Sequence, residues 1–187
     1  MKKYELMKET KVIGGKTLFR IRALRSFGDI KAGDLGGFIE NERNLSHGGN
    51  AWVGDNAQVG GNAEVYGDAQ VVGYARVGGY ARVGGYARVG GYARVDGDAW
   101  VGGNAEVYGD AEVYGDARVD GDAWVGGYAR VNGDGLINSN NDYLCEQGLG
   151  SRNRSASFFK CKDGHIHVLC GCFSGNLDEF ENKVKEE

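Results

Sequence analysis

Valine recurs every six residues from Val53 to Val131, fourteen times without a miss. Alanine stands two residues before each of these valines, from Ala51 to Ala129. Glycine stands two residues after each valine from Gly61 to Gly133, and the residue after that glycine is Asn, Asp or Tyr. Side chains two apart on extended backbone point to the same face, so Ala and Val share one side of a strand. Gly followed by Asn or Asp is turn chemistry, because these residues tolerate positive φ. Each hexad therefore reads as a very short strand and then a corner. A chain that turns every six residues builds neither a helix nor a flat sheet; it winds into a coil with alanine and valine inside. A fully buried valine contributes about 1.5–3 kcal/mol. No hexad buries its own valine, so coils must stack and stability is collective.

Composition narrows the alternatives. Glycine makes up 34 of 187 residues and proline none, which excludes collagen, where both are needed in a three-residue period. The chain is 41% hydrophobic and 11% aromatic, enough apolar material for a core. Evenly spread glycine, at about 1 kcal/mol per helical site, argues against a helical protein. Net charge is −4. Between Asp55 and Asp134 stand six arginines, no lysine and twelve acids, whereas the first fifty residues hold ten basic and six acidic ones. An acidic central surface does not suit nucleic acid, which is not expected as a partner. Met1 is followed by Lys-Lys-Tyr-Glu, and no run is apolar enough for a leader or a span. The expectation is a cytoplasmic protein whose cysteines, Cys145, Cys161, Cys170 and Cys172, are reduced.

The unbroken Ala-x-Val-x-Gly-[Asn/Asp/Tyr] hexads resemble a left-handed parallel β-helix of the hexapeptide-repeat type, and specifically the YdcK-type solenoid family. The resemblance implies an all-β fold with three hexads per triangular coil. Fourteen hexads then make about 4.7 coils and a prism about 22 Å tall. Residues eighteen apart should stack. Ile39 and Leu45 fall in the alanine column, Leu35 in the valine column, and Gly37 and Gly49 in the glycine column, so an irregular coil should precede Ala51, broken at Asn41 and His47. The outward stacks read Trp52–Gln70–Arg88–Glu106–Trp124, Gln58–Arg76–Arg94–Glu112–Arg130 and Glu64–Arg82–Trp100–Arg118. Opposite charges would meet at Arg88/Glu106, Arg94/Glu112, Glu112/Arg130 and Glu64/Arg82, each worth about 0.2–1 kcal/mol. Arg82 and Arg118 would sandwich Trp100. Arg76 over Arg94 is unfavourable. The run Tyr74–Arg94 holds four tyrosines and four arginines, but successive hexads go to different faces and only Arg76 and Arg94 share one. It reads as a solvated surface rather than a binding patch.

Three segments are expected: a capping module at 1–34, the solenoid at 35–137 and a hairpin-helix module at 138–187. Residues Lys11–Leu24 alternate around Gly14-Gly15, a hairpin. An Asn/Ser-rich stretch to Asp142 reads as a loop. Asp163-Gly164 is a type I′ turn signal between the two runs of Ser157–Phe173. Asn176 can cap a short helix from Leu177, with Phe180 and Val184 on one face.

The flanks carry a second resemblance. Gly150-Ser151-Arg152-Asn153, Phe158-Phe159, Lys162-Asp163-Gly164, Cys170-Gly171-Cys172-Phe173 and Asp178-Glu179-Phe180 are similar to a C-terminal module of phage and prophage β-solenoid proteins. Tyr4-Glu5-Leu6, Leu18 to Leu24, Phe27-Gly28-Asp29 and Gly33 to Gly37 are similar to their N-terminal module. The resemblance implies a phage or prophage setting and carries no agreed activity; a binding or scaffold protein without enzymatic activity is the expectation. A homo-oligomer is expected, a trimer first as in hexapeptide-repeat relatives, with a host protein or a small nucleotide-like anion as ligand.

The candidate sites are few. Ser151, Arg152, Asn153 and Arg154 form a polar, glycine-flanked stretch that could hold an anion. Trp52, Trp100 and Trp124 stand at outward positions, where large aromatics mark interfaces. Hexapeptide acyltransferases, the alternative reading, use a histidine and a projecting loop. Here the repeats have neither, and His47 is the sole histidine near them. Cys170 and Cys172, two apart on one expected strand, could join Cys161 and Cys145, His165 or His167 around zinc. Their spacing is not that of a finger, and packing of free thiols is the preferred reading. Neither a metal nor a cofactor is expected.

Overall fold

The computed structural model describes residues 2–149 and 154–186. Fifteen two-residue strands run from β4 (Trp52–Val53) to β18 (Leu136–Ile137), one in every hexad. They pair in parallel with partners eighteen residues away, Val71 with Val89 and Val89 with Val107, for example. Three hexads thus close one coil, and the coils stack into three parallel sheets. With the irregular first coil the solenoid makes about six turns. Every repeat alanine and valine is buried, and together they form one continuous core.

Each hexad donates three backbone hydrogen bonds to the next coil; Arg88, Gly90 and Tyr92 N–H bond to the carbonyls of Ala105, Val107 and Gly109 at 2.8–2.9 Å. The direction is constant. One end of the column therefore exposes unpaired carbonyls and the other unpaired N–H groups.

The first coil departs from the expected register. Ile39 pairs with Val59 and Leu45 with Val65, an offset of twenty. Both occupy the valine column, not the alanine column. Two additional residues, His47 and Gly48, lengthen the corner before Gly49, which returns to the eighteen-residue register with φ +63° over Gly67. Leu35 is exposed, pairing with Arg22 in the N-terminal sheet. Gly37 lies close to the Ala57 and Gly54 carbonyls and has no positive φ, so it is not a corner glycine.

The widened corner is the socket for the N-terminal strand β1 (Tyr4–Ile13). The hydroxyl of Tyr4 donates to the carbonyls of Leu45 (2.7 Å) and Glu42 (3.0 Å), and its ring stacks on His47. Lys3 is fully buried and Nζ donates to the Ala51 carbonyl at 2.7 Å. These donors meet the acceptor end of the column. Strand β1 pairs with β2 (Lys16–Ala23) across Gly14-Gly15, both at positive φ as a type I′ turn requires. Strand β2 pairs with β3 (Leu35–Ile39), so this hairpin extends one solenoid face into an eight-stranded sheet.

At the donor end a four-stranded antiparallel sheet closes the column: β19 (Tyr143–Leu149), β20 (Arg154–Lys160), β21 (Ile166–Cys170) and β22 (Phe173–Asn176). Phe159, Cys161 and Leu169 from it join the core. The N–H of Arg130 donates to Ser157 Oγ at 2.9 Å, and that of Trp124 to Asn140 Oδ1 at 2.6 Å. The Asn/Ser stretch is thus a 3-10 turn (Asn140–Asp142) with a capping role. The turn after β20 is not type I′. Gly164 N–H bonds to the Cys161 carbonyl at 2.9 Å and, of the turn residues, Gly164 alone has positive φ. This is a type I turn closed by a left-handed glycine, which suits an Asp at the position before it. Helix α1 (Leu177–Lys185) starts at Asn176, whose Oδ1 accepts from Glu179 N–H while Glu179 Oε2 accepts from Asn176 N–H. Phe180 packs against Phe158 and Phe173; Val184 is left exposed.

Candidate functional site

One outer face combines charge imbalance with shape. On the eight-stranded sheet the outward residues of successive coils are Gln58, Arg76, Arg94, Glu112 and Arg130, each paired with the next. Of the three guanidinium groups, two share one carboxylate. Glu112 lies 3.8 Å from Arg94 Nη1 and 3.3 Å from Arg130 Nε. Arg76 has no carboxylate within 4.0 Å among the described residues, and its cross-strand neighbour is another arginine. Like charges directly opposite on neighbouring strands are destabilising, so the Arg76–Arg94 step is the unfavourable one in this ladder.

The corner before each arginine adds an aromatic element. Tyr74 and Tyr92 precede Arg76 and Arg94 by two residues and stack on each other, 5.1 Å between centroids and 9° between planes. Both are more than half exposed. The tip of the β1–β2 hairpin overhangs the other side. It closes a groove of about 390 Å³ over Gln58, Arg76 and Arg94, with Lys16 at its edge. Gly60 and Gly78, without side chains, floor it. Lys16 Nζ sits 3.3 Å from Glu40. The Gly61 N–H, bonded at 2.6 Å to Glu40, holds that carboxyl below its ordinary range, with Lys16 assisting. Asp96 also lines the groove, with Oδ1 turned to the N–H of Gly97 at 2.8 Å. The guanidinium forks of the groove can hold an anion by bidentate hydrogen bonds, while the Tyr74–Tyr92 stack lies outside its lining. No histidine or cysteine lines the groove among the described residues.

The ladder ends at a second cleft, about 540 Å³, where Arg130 meets Ser155, Ser157, Leu169 and Cys172. Ser151, Arg152 and Asn153 lie outside the described residues. Arg154 opens β20 immediately beyond them, with its side chain outside the description too.

The three tryptophans do not share one environment. Trp52 is buried, in edge contact with Phe27 at 5.5 Å, because the N-terminal segment covers it. Trp52 and Trp124 do belong to one sheet, at opposite ends. Trp124 is 56% exposed. Trp100 takes Arg118 on its face at 4.1 Å. Arg82 turns instead to Glu64 at 3.7 Å, so the expected sandwich is one-sided. Of the four cross-coil ion pairs expected, Arg88–Glu106 does not close to 4.0 Å; the other three form.

His47 is committed to packing. Nδ1 accepts from Lys3 N–H at 3.1 Å, the ring stacks on Tyr4, and Nε2 is buried. Cys170 and Cys172 do not lie on one strand: Gly171 and Cys172 form the two-residue turn to β22, with Gly171 at φ +61°. Cys161, His165 and His167 do converge. Burial raises the pKa of the Cys161 thiol, and burial lowers that of His167, with His165 adding in the same direction.

Compared with known protein families and with curated proteins, the sequence matches none. Lys16, at the edge of the groove, is the contact that sequence reasoning passed over; Arg130 it placed in the ladder. The signal for Arg130 was present, since the eighteen-residue stack already placed it above Glu112. Nothing in the sequence tells that the tip of the hairpin reaches Arg76.

Proposed function

We propose that this protein is a rigid, non-enzymatic binding module that takes a small, nucleotide-like anion on its arginine face. The reading is carried by the Arg76–Arg94–Glu112–Arg130 ladder, where Arg94 and Arg130 share one carboxylate and Arg76 has none, with the exposed Tyr74–Tyr92 stack at the preceding corner. Phosphate oxygens would relieve the Arg76–Arg94 repulsion, and a base would lie against the tyrosines. The stretch from Ser151 to Arg154 is, by its residue types alone, a second candidate for an anion. The column supplies stiffness, since each coil is fastened to the next on three sides. A phage or prophage origin, a trimeric assembly and a host-protein partner are part of this proposal; they rest on the resemblance of the flanking motifs. The packing of His47 argues for the binding reading over an acyltransferase one.

The test is calorimetric titration of the full chain with adenosine monophosphate, with inorganic phosphate as a second probe. Saturable binding of the nucleotide is expected, with phosphate weaker. Arg76→Gln with Arg94→Gln, both exposed and outside the core, should weaken the nucleotide at least about tenfold, the value of one lost charge-assisted contact. No saturable heat for either probe, or equal affinity in the double variant, would overturn the proposal.

A further inference from the structure

We infer that Cys161, His165 and His167 form a zinc-binding site in the turn that closes the C-terminal sheet onto the last coil. The thiol sulfur and one ring nitrogen of each histidine lie within 4.8 Å of one another. The convergence is built by the local fold. Cys161 N–H bonds to the His165 carbonyl at 2.9 Å, so these two residues face each other across the turn. His167 lies two residues further along the same chain, and hence on the same side as His165.

The rings are held from outside the cluster. Asp163 accepts from the His165 N–H at 3.1 Å and also contacts its Nδ1. Ser174 Oγ lies 3.0 Å from His167 Nε2, and the ring leans on the buried Phe159 at 5.3 Å. Such outer contacts are what orient metal-binding imidazoles. Closing from 4.8 Å to a tetrahedral ligand cage takes a small adjustment, in which the half-exposed His165 would move together with Asp163.

Donor chemistry selects the ion. One thiolate with two imidazoles suits zinc, with the fourth position open to water or a carboxylate. A blue-copper site would add a weak axial thioether, amide oxygen or backbone oxygen to this set. Met7, on β1, belongs to the sheet at the other end of the column. Bound zinc would also have a structural consequence. Cys161 bridges to Gly135 of the last coil, and the Lys162 N–H bonds to the Asp134 carbonyl at 3.0 Å. The ion would therefore fix the turn where the cap is tied to the column. The inference stands apart from the arginine face, and either can fail without the other.

The experiment is titration of chelator-treated full-length protein with Co²⁺, followed by displacement with Zn²⁺. One equivalent should bind, with a thiolate-to-cobalt charge-transfer band and tetrahedral visible bands that zinc abolishes. Cys161→Ser should remove the charge-transfer band. Because Cys161 is buried, His165→Gln supplies an exposed change with the fold intact by circular dichroism, and it should leave uptake below one equivalent. Asp163→Asn should weaken binding about 10–100-fold. Absence of the charge-transfer band in the unaltered protein would overturn the inference. So would stoichiometric, undiminished binding by His165→Gln.

Discussion

The glycine two residues after each valine is selected twice, by its dihedral and by its neighbour. Gly91 has φ +64°, and a Cβ there would stand 2.9 Å from both N and O of Gly109 in the next coil. Gly127 has almost the same φ, +63°, but nothing within 4 Å, because no regular coil lies above it. Gly127→Ala should therefore cost only the left-handed strain, about 1–2 kcal/mol. Gly91→Ala should cost that and roughly 1 kcal/mol more for overpacking. Urea midpoints of the two variants measure the difference; equal losses would show that the stack tolerates a methyl group. The column has one exception, Asp55 at φ +51°, whose carboxylate accepts from the N–H of Gly73 at 2.9 Å. A second glycine position reads differently. Gly84 lies under the ring of Tyr66 and Gly90 under that of Tyr108, each partner eighteen residues away. Gly84 and Gly90 are thus seats for aromatic rings, whereas Gly60 and Gly78 face the side chains of Glu40 and Asp96, a difference visible in the sequence only after the eighteen-residue register is adopted.

The two caps show why an element can be legible in outline and not in contact. Alternation and a Gly-Gly turn announce the first hairpin, and Asp163-Gly164 the second. The chemistry of their attachment follows from the column's polarity, which no hexad displays. The acceptor end is met by donors, Lys3 and Tyr4; the donor end by acceptors, Ser157 and Asn140. Burial, with Arg25 adding, lowers the pKa of Lys3 from 10.5 to about 8. Between those values the unfolded chain binds more protons, so the cap gains stability as pH rises from about 8. Burial, with Glu42 adding, raises the pKa of the Tyr4 hydroxyl above its ordinary 10.0. Above that pH the unfolded chain loses its proton first, and stability falls. The N-terminal cap should be firmest at about pH 10. Trp52, buried beneath the cap, reports it in a variant with Trp100→Phe and Trp124→Phe. A fluorescence-monitored melting point that rises from pH 8 and declines beyond pH 10 is expected; a flat profile would show that Lys3 is not desolvated.

For the whole molecule, the cadence of Ala and Val made the solenoid readable, and the residues eighteen apart paired as expected from Trp52 to Ile137. Two things were not readable. The first coil holds twenty residues because His47 and Gly48 widen a corner, and a two-residue insertion outside the regular repeat leaves no periodic trace. The arginine face was half readable: the stack placed Arg76 over Arg94, but their repulsion looked like a flaw in the scheme. It gains meaning only beside the hairpin tip, which lies far off in the chain, and the tyrosine pair, which stacks only once the coil closes. All of these readings depend on closure every eighteen residues. Nuclear Overhauser contacts between backbone amide and α protons of isotopically labelled protein test that closure directly. Contacts of the Val89 strand with Val71 and Val107 are predicted, eighteen residues to either side. Contacts with Val83 and Val95, six residues away, would mean hexads lying side by side in an open sheet and would contradict the coil.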